Sequence, residues 1–132
     1  MSALANSPVV KGLRLFVVED EALVAMLLEE MLADLGCTVV GVAGNVGDAL
    51  GRLSHTAADG AVLDVNVGGE KVFPVADALA ERGVPFVFAT GYGGSGLDQR
   101  YPNAPVLTKP YSTDELMRVL ATFESKPDCS PM

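Results

Sequence analysis

Basic side chains are scarce in this sequence. Nine lysines and arginines stand against seventeen aspartates and glutamates in 132 residues, a formal net charge of −8 at pH 7. A surface of that sign repels nucleic-acid backbones and anionic membranes, which excludes electrostatic binding to either. Histidine is scarcer still. His55 is the only one, and in the polar turn LSHTAADG it reads as a solvated loop residue, not a metal ligand or a phosphoryl carrier. Cys37 and Cys129 lie far apart with no metal-type spacing and read as two reduced thiols. No apolar run approaches the ~18 residues of a membrane-spanning helix. The start, MSALANSPVVKG, has neither a basic leader nor a long apolar segment. The expectation is a cytoplasmic protein that meets neither nucleic acid nor membrane.

What the sequence does have is apolar material: 49% of its residues are hydrophobic, enough for one compact core at this length and too little for a second. Short, apolar runs recur at residues 13–18 (LRLFVV), 38–43 (TVVGVA), 60–65 (GAVLDV), 85–90 (PFVFAT) and 104–108 (APVLT), each the length of a buried strand. From Ala22 onward, Leu23, Leu27 and Met31, with Val24, Leu28, Leu32 and Leu35, recur at helical spacing, and Gly36 offers a left-handed stop. A shorter, glycine-weakened helix is expected over 45–53. Pro74 opens another that runs through Arg82 and stops at Gly83. The last helix begins at Ser112. Glu115, three residues on, completes a capping box, and Leu116, Val119, Leu120 and Phe123 give the helix a core face. The segment 91–103, GYGGSGLDQRYPN, has four glycines and little apolar periodicity, so any helix there should be short or mobile. Five strands alternating with helices imply a parallel sheet covered on both sides by right-handed crossovers, an α/β doubly wound fold. The domain expected spans 13–124, between tails at 1–12 and 125–132.

In such a sheet, residues just past the carboxyl ends of the strands gather at one edge, where ligands bind. Four strand ends carry polar chemistry here: Glu19 and Asp20 after the first, Asp64 at the third, Thr90 at the fourth and Lys109 after the fifth. Any one of these alone is an ordinary loop, cap or surface residue. Together, three carboxylates repel one another unless a cation sits among them or one is protonated. With only oxygen ligands on offer, a hard ion such as Mg²⁺ suits the set. Acids, a metal, a lysine and a hydroxyl are the parts that hold a phosphoryl group and neutralise its charge during in-line transfer.

The acid pair in VVEDE, the aspartate in LDV, the strand-end Thr90 and the Lys-Pro of Lys109 and Pro110 together resemble the receiver domain of two-component response regulators, over residues 13–123. PFVFATGY, residues 85–92, further resembles the signature of a subgroup that is typically stand-alone or stress-signalling. The resemblance implies a five-stranded, flavodoxin-like (βα)5 fold with strand order 2-1-3-4-5. It implies that Asp64 accepts a phosphoryl group from a sensor histidine kinase or histidine phosphotransfer protein. Glu19, Asp20, Asp64 and the backbone carbonyl of Asn66 would hold Mg²⁺. Thr90 and Lys109 would each meet a phosphoryl oxygen, and the Lys109–Pro110 bond would be cis. The sequence departs from the family at Val106, where a switching aromatic often stands, and at Glu19, where aspartate is commoner. Signalling is therefore expected to proceed through residues 92–100, beginning with Tyr92, to a downstream protein target. The exposed side of the last helix, with the fourth helix and fifth strand, is where the family usually meets partners.

Such a chain is no enzyme beyond catalysing its own phosphorylation and dephosphorylation. Sequence alone leaves open a relay intermediate or a phosphate sink. The main alternative is a phosphorylation-independent interaction module on the same fold. A metal-dependent phosphatase would need a further acid or base near Asp64 and a substrate cap, and neither is evident. The glycine segments at 67–69 and 91–96 do not match a dinucleotide fingerprint after the first strand.

Overall fold

The computed structural model describes residues 10–91, 101 and 104–124. The elements run β1 (Arg14–Val18), α1 (Ala22–Asp34), β2 (Thr38–Ala43), α2 (Val46–Leu53), β3 (Gly60–Asp64), β4 (Asn66–Val67), β5 (Glu70–Lys71), α3 (Phe73–Glu81), β6 (Phe86–Thr90), β7 (Val106–Thr108) and α4 (Thr113–Glu124). Five strands pair in parallel in the order β2-β1-β3-β6-β7. This is the expected 2-1-3-4-5 order once the small hairpin β4–β5 is set aside. That hairpin was not among the expected elements, because two-residue strands have no readable period. Its turn is Gly68 and Gly69, at φ +60° and +82°, the left-handed pair that closes a tight hairpin.

Alternation along the strands sends side chains to two apolar layers. Phe16, Val18, Leu63, Phe86 and Phe88 face α2 and α3. Leu15, Val17, Val62, Val87 and Leu107 face α1 and α4. Full burial of such a side chain is worth about 1.5–3 kcal/mol against leaving it in water, so the layers fix the register of every strand. Val10 is also fully buried, and its carbonyl accepts from the Cys37 thiol at 3.3 Å. Burial pushes that thiol up to about 11, consistent with Cys37 as a reduced core residue.

The helix signals act where expected. Gly36 and Gly83 take φ of +86° and +71° at the ends of α1 and α3. Asn45 also caps α2, a role not read from the sequence, by accepting from the Asp48 amide at 2.7 Å. Ser112 and Glu115 exchange hydrogen bonds at 2.8 and 3.0 Å. Helix α1 departs from the simple periodic picture. It buries Ala25, Leu28 and Leu32 and leaves Leu23, Met26 and Leu27 exposed at 66%, 51% and 53%. Its apolar residues nearly encircle it, so spacing alone does not choose the buried face. Among the described residues, no helix is long and apolar enough to cross a membrane.

Candidate functional site

Three loops bring the charged residues together at the carboxyl edge of the sheet. β1 and β3 are paired neighbours, so Glu19 and Asp20, just past β1, meet Asp64 at the end of β3. One oxygen from each of the three carboxylates lies within 4.8 Å of the others. Glu19 is buried, Asp64 partly buried and Asp20 exposed. Each acid is held by a specific donor. The Glu21 amide donates to Glu19 Oε2 at 3.1 Å, and the Gly68 amide of the hairpin turn donates to Asp20 Oδ2 at 3.0 Å. Lys109 Nζ bridges Glu19 and Asp64, 3.1 Å from Glu19 Oε1 and 3.3 Å from Asp64 Oδ1.

The lysine is aimed by backbone. β6 and β7 pair Thr90 with Thr108, and the next amide, that of Lys109, donates to the Thr90 carbonyl at 2.8 Å. The Lys109–Pro110 peptide is cis, as the resemblance implied. Thr90 itself is buried, at the end of a strand that is buried throughout.

The electrostatics follow from this crowding. Burial, then the neighbouring charge of Glu19 and to a lesser degree Asp20, push the Asp64 carboxyl up to about 6, against the opposing pull of Lys109. Burial by itself would lower the Lys109 ammonium. Its hydrogen bond to Glu19 and the charges of Asp64 and Glu19 outweigh that and hold it above the usual lysine value. Tyr111 is raised by burial and by the charges of Glu19 and Asp64, with Lys109 opposing. Three carboxylates against one ammonium leave the site short of positive charge. The donor set is all oxygen and its atoms are close enough to share one ion, which fits a hard divalent cation.

Of the other residues expected at the site, Asn66 opens β4 two positions beyond Asp64 and is exposed. Val106 is half-buried in β7 opposite Phe88. Pro110 is exposed next to Lys109. Tyr92 and the segment 92–100 lie outside the described residues. Sequence reasoning missed the Gly68 amide, whose signal was the Gly-Gly pair in VNVGGE, and missed the groove along α1. That groove, of about 370 Å³, runs past Leu27, Met31, Lys109 and Tyr111.

The response regulator receiver domain family matches residues 15–121, and the chain belongs to that family. SdrG from Sphingomonas melonis Fr1, known from a solution structure, is 45% identical with a TM-score of 0.75, over 93% of this chain and 98% of that one. A BeF3-activated conformation of SdrG, from Pseudomonas melonis Fr1, is 46% identical with a TM-score of 0.72, over 83% and 95%. The transcriptional regulatory protein PdtaR of Mycobacterium tuberculosis is 31% identical over 117 residues, 86% of this chain and 57% of that protein. The chain spans about half the length of the curated relatives it matches.

Proposed function

We propose that this receiver domain is a phosphoacceptor that takes a phosphoryl group onto Asp64 from a phosphohistidine. The observation that carries the reading is the convergence of Glu19, Asp20, Asp64 and Lys109 from three loops onto one small volume. A structural role does not need three like charges within 4.8 Å of one another. That the related SdrG has a BeF3-activated conformation supports the same chemistry here.

An Asp64 carboxylate oxygen attacks phosphorus in line. The new P–O bond forms as the P–N bond to the donor imidazole breaks; the electron pair returns to that nitrogen, and an imidazole already protonated at its other nitrogen leaves neutral. Lys109 moves from Asp64 to a phosphoryl oxygen while keeping Glu19 as its partner. Thr90 supplies a hydroxyl donor to a second phosphoryl oxygen. Glu19, Asp20 and Asp64, with the Asn66 carbonyl, would hold Mg²⁺, which when bound offsets the charge of both carboxylates and phosphoryl group. The working unit is residues 13–124, with Val10 packed into its core, acting in the cytoplasm.

Its partners are a sensor histidine kinase or histidine phosphotransfer protein and a downstream protein target. The uncovered apolar face of α1, with Leu23, Met26 and Leu27, and its groove beside Lys109 support docking of the donor within reach of Asp64.

The test is intact mass after incubation with acetyl phosphate, in Mg²⁺ and in EDTA, for the wild type and for Asp64→Asn. One adduct, dependent on Mg²⁺ and absent from the variant, is expected. A folded wild type that gains no adduct under any condition would leave a phosphorylation-independent interaction module as the better reading.

A further inference from the structure

Tyr101 packs against the sheet and is held on two sides. Its ring meets Phe86 edge-on with centroids 5.3 Å apart, and meets Phe88 tilted at 6.1 Å. Its hydroxyl donates to Asp77 Oδ1 of α3 at 2.5 Å. Because side chains alternate along a strand, Phe86, Phe88 and Thr90 share one face of β6. Phe88 also packs edge-on against Phe73, at 5.7 Å, in the first turn of α3. Asp77 lies four residues beyond Phe73, on the same side of that helix. Tyr101 thus joins α3 to the strand face that ends in Thr90. Val106 stands opposite Phe88 in register and packs into the same layer, so the ring in this crevice comes from Tyr101 and not from β7.

We propose that Tyr101 is a positioning residue for Thr90, with Asp77 as its anchor. The inference rests on the reading of Asp64 as phosphoacceptor. A part-buried hydrogen bond to a carboxylate is stronger than one between neutral groups. Packed layers shift between discrete arrangements and do not deform smoothly. The bond to Asp77 and the contacts with Phe86 and Phe88 therefore hold β6 in the arrangement in which Lys109 pairs with Asp64. Drawing Thr90 toward a phosphoryl group moves the Phe88 end of that row and works against the Tyr101 anchor. Weakening the anchor shifts the resting population toward the arrangement that Thr90 takes beside a phosphoryl group and raises affinity for a phosphoryl mimic without adding any contact to it.

The experiment measures binding of beryllofluoride with Mg²⁺ by amide resonances of wild type, Tyr101→Phe, Asp77→Asn and the double variant. Tyr101→Phe removes the hydroxyl and keeps the ring. Each single variant is expected to bind about three- to tenfold more tightly, a change of up to roughly 1.4 kcal/mol. The double variant should bind no more tightly than Tyr101→Phe alone, since both act on the same link: phenylalanine removes the donor, and asparagine leaves only a neutral acceptor. The Thr90 and Ala89 resonances of the unliganded variants should lie on the line from free to beryllofluoride-bound wild type, a displacement that mere loosening of the fold would not produce. Unchanged affinity, additive effects, or resonances off that line would overturn the proposal. If Tyr101→Phe does not fold, Asp77→Asn carries the affinity and resonance tests alone. Wild type that fails to bind beryllofluoride overturns the phosphoacceptor reading beneath the proposal, whereas wild-type binding with unmoved variants overturns the Tyr101 role alone.

Discussion

Asp64 is held in the folded chain against its own charge. Its carboxyl is pushed from the ordinary 3.8 up to about 6 by burial and by Glu19. An acid whose proton binds more tightly in the folded state stabilises that state at low pH and weakens it as pH rises through the interval between the two values. In EDTA, the stability owed to this group is therefore fully present below about pH 4 and lost above about pH 6. Asp64→Asn removes the titration and leaves Lys109 paired with Glu19. The variant should be more stable than wild type by about 1–3 kcal/mol near pH 7.5, with the gain shrinking toward zero near pH 4. Urea denaturation at several pH values checks this. A variant less stable than wild type near pH 7.5 would show that the Lys109–Asp64 bond outweighs the desolvation and repulsion.

Where strands and helices pack, the space around a glycine decides what a substitution does. Gly60 begins β3 beneath α4, and a methyl group there would overlap the Phe123 ring and approach Leu15 Cδ2 to 3.3 Å. Gly51 lies in α2 with open space around it. Gly60→Ala should destabilise by about 1–3 kcal/mol, because the ring must leave its place. Gly51→Ala should stabilise by about 0.5–1 kcal/mol through helix propensity. Urea midpoints of the two variants against wild type test both signs; equal shifts would mean that α4 yields to the new methyl at little cost.

The five main strands were legible because each is a continuous apolar run, and the cap at Ser112 because a capping box is written within four residues. The carboxylate cluster was legible for a topological reason. Once strands and helices alternate, every strand end must arrive at one edge, and the acids at 19, 20 and 64 travel with them. What failed to show was either very short or long-range. The β4–β5 hairpin has too few residues for a period. The buried side of α1 depends on where the sheet lies, since Leu23 and Leu28 are equally apolar in sequence. The Tyr101–Asp77 bond joins residues 24 apart, and no local pattern marks it.

Net charge and the exposed apolar face of α1 act together. Helix α1 carries Glu29, Glu30 and Asp34 beside its exposed Leu23, Met26 and Leu27, with Glu21 at its start and no basic residue. A second copy of this chain, also at −8, is repelled from that surface, whereas a donor helix with an apolar stripe flanked by lysine or arginine is drawn to it. Leu27 lines the groove that runs past Lys109 and is 53% exposed, so a charge placed there tests whether this face receives the donor. Leu27→Glu should leave stability within about 0.5 kcal/mol of wild type, because the side chain is already half in water. Labelling by acetyl phosphate, which needs no docking surface, should be unchanged. Transfer from a phosphorylated histidine-kinase domain should fall at least tenfold, equivalent to about 1.4 kcal/mol of lost contact, and transfer to the wild type should slow as salt is raised. Rapid-quench phosphotransfer assays at two salt concentrations separate these effects: equal loss with both donors would place Leu27 in support of the site, and no loss with either would move docking away from α1.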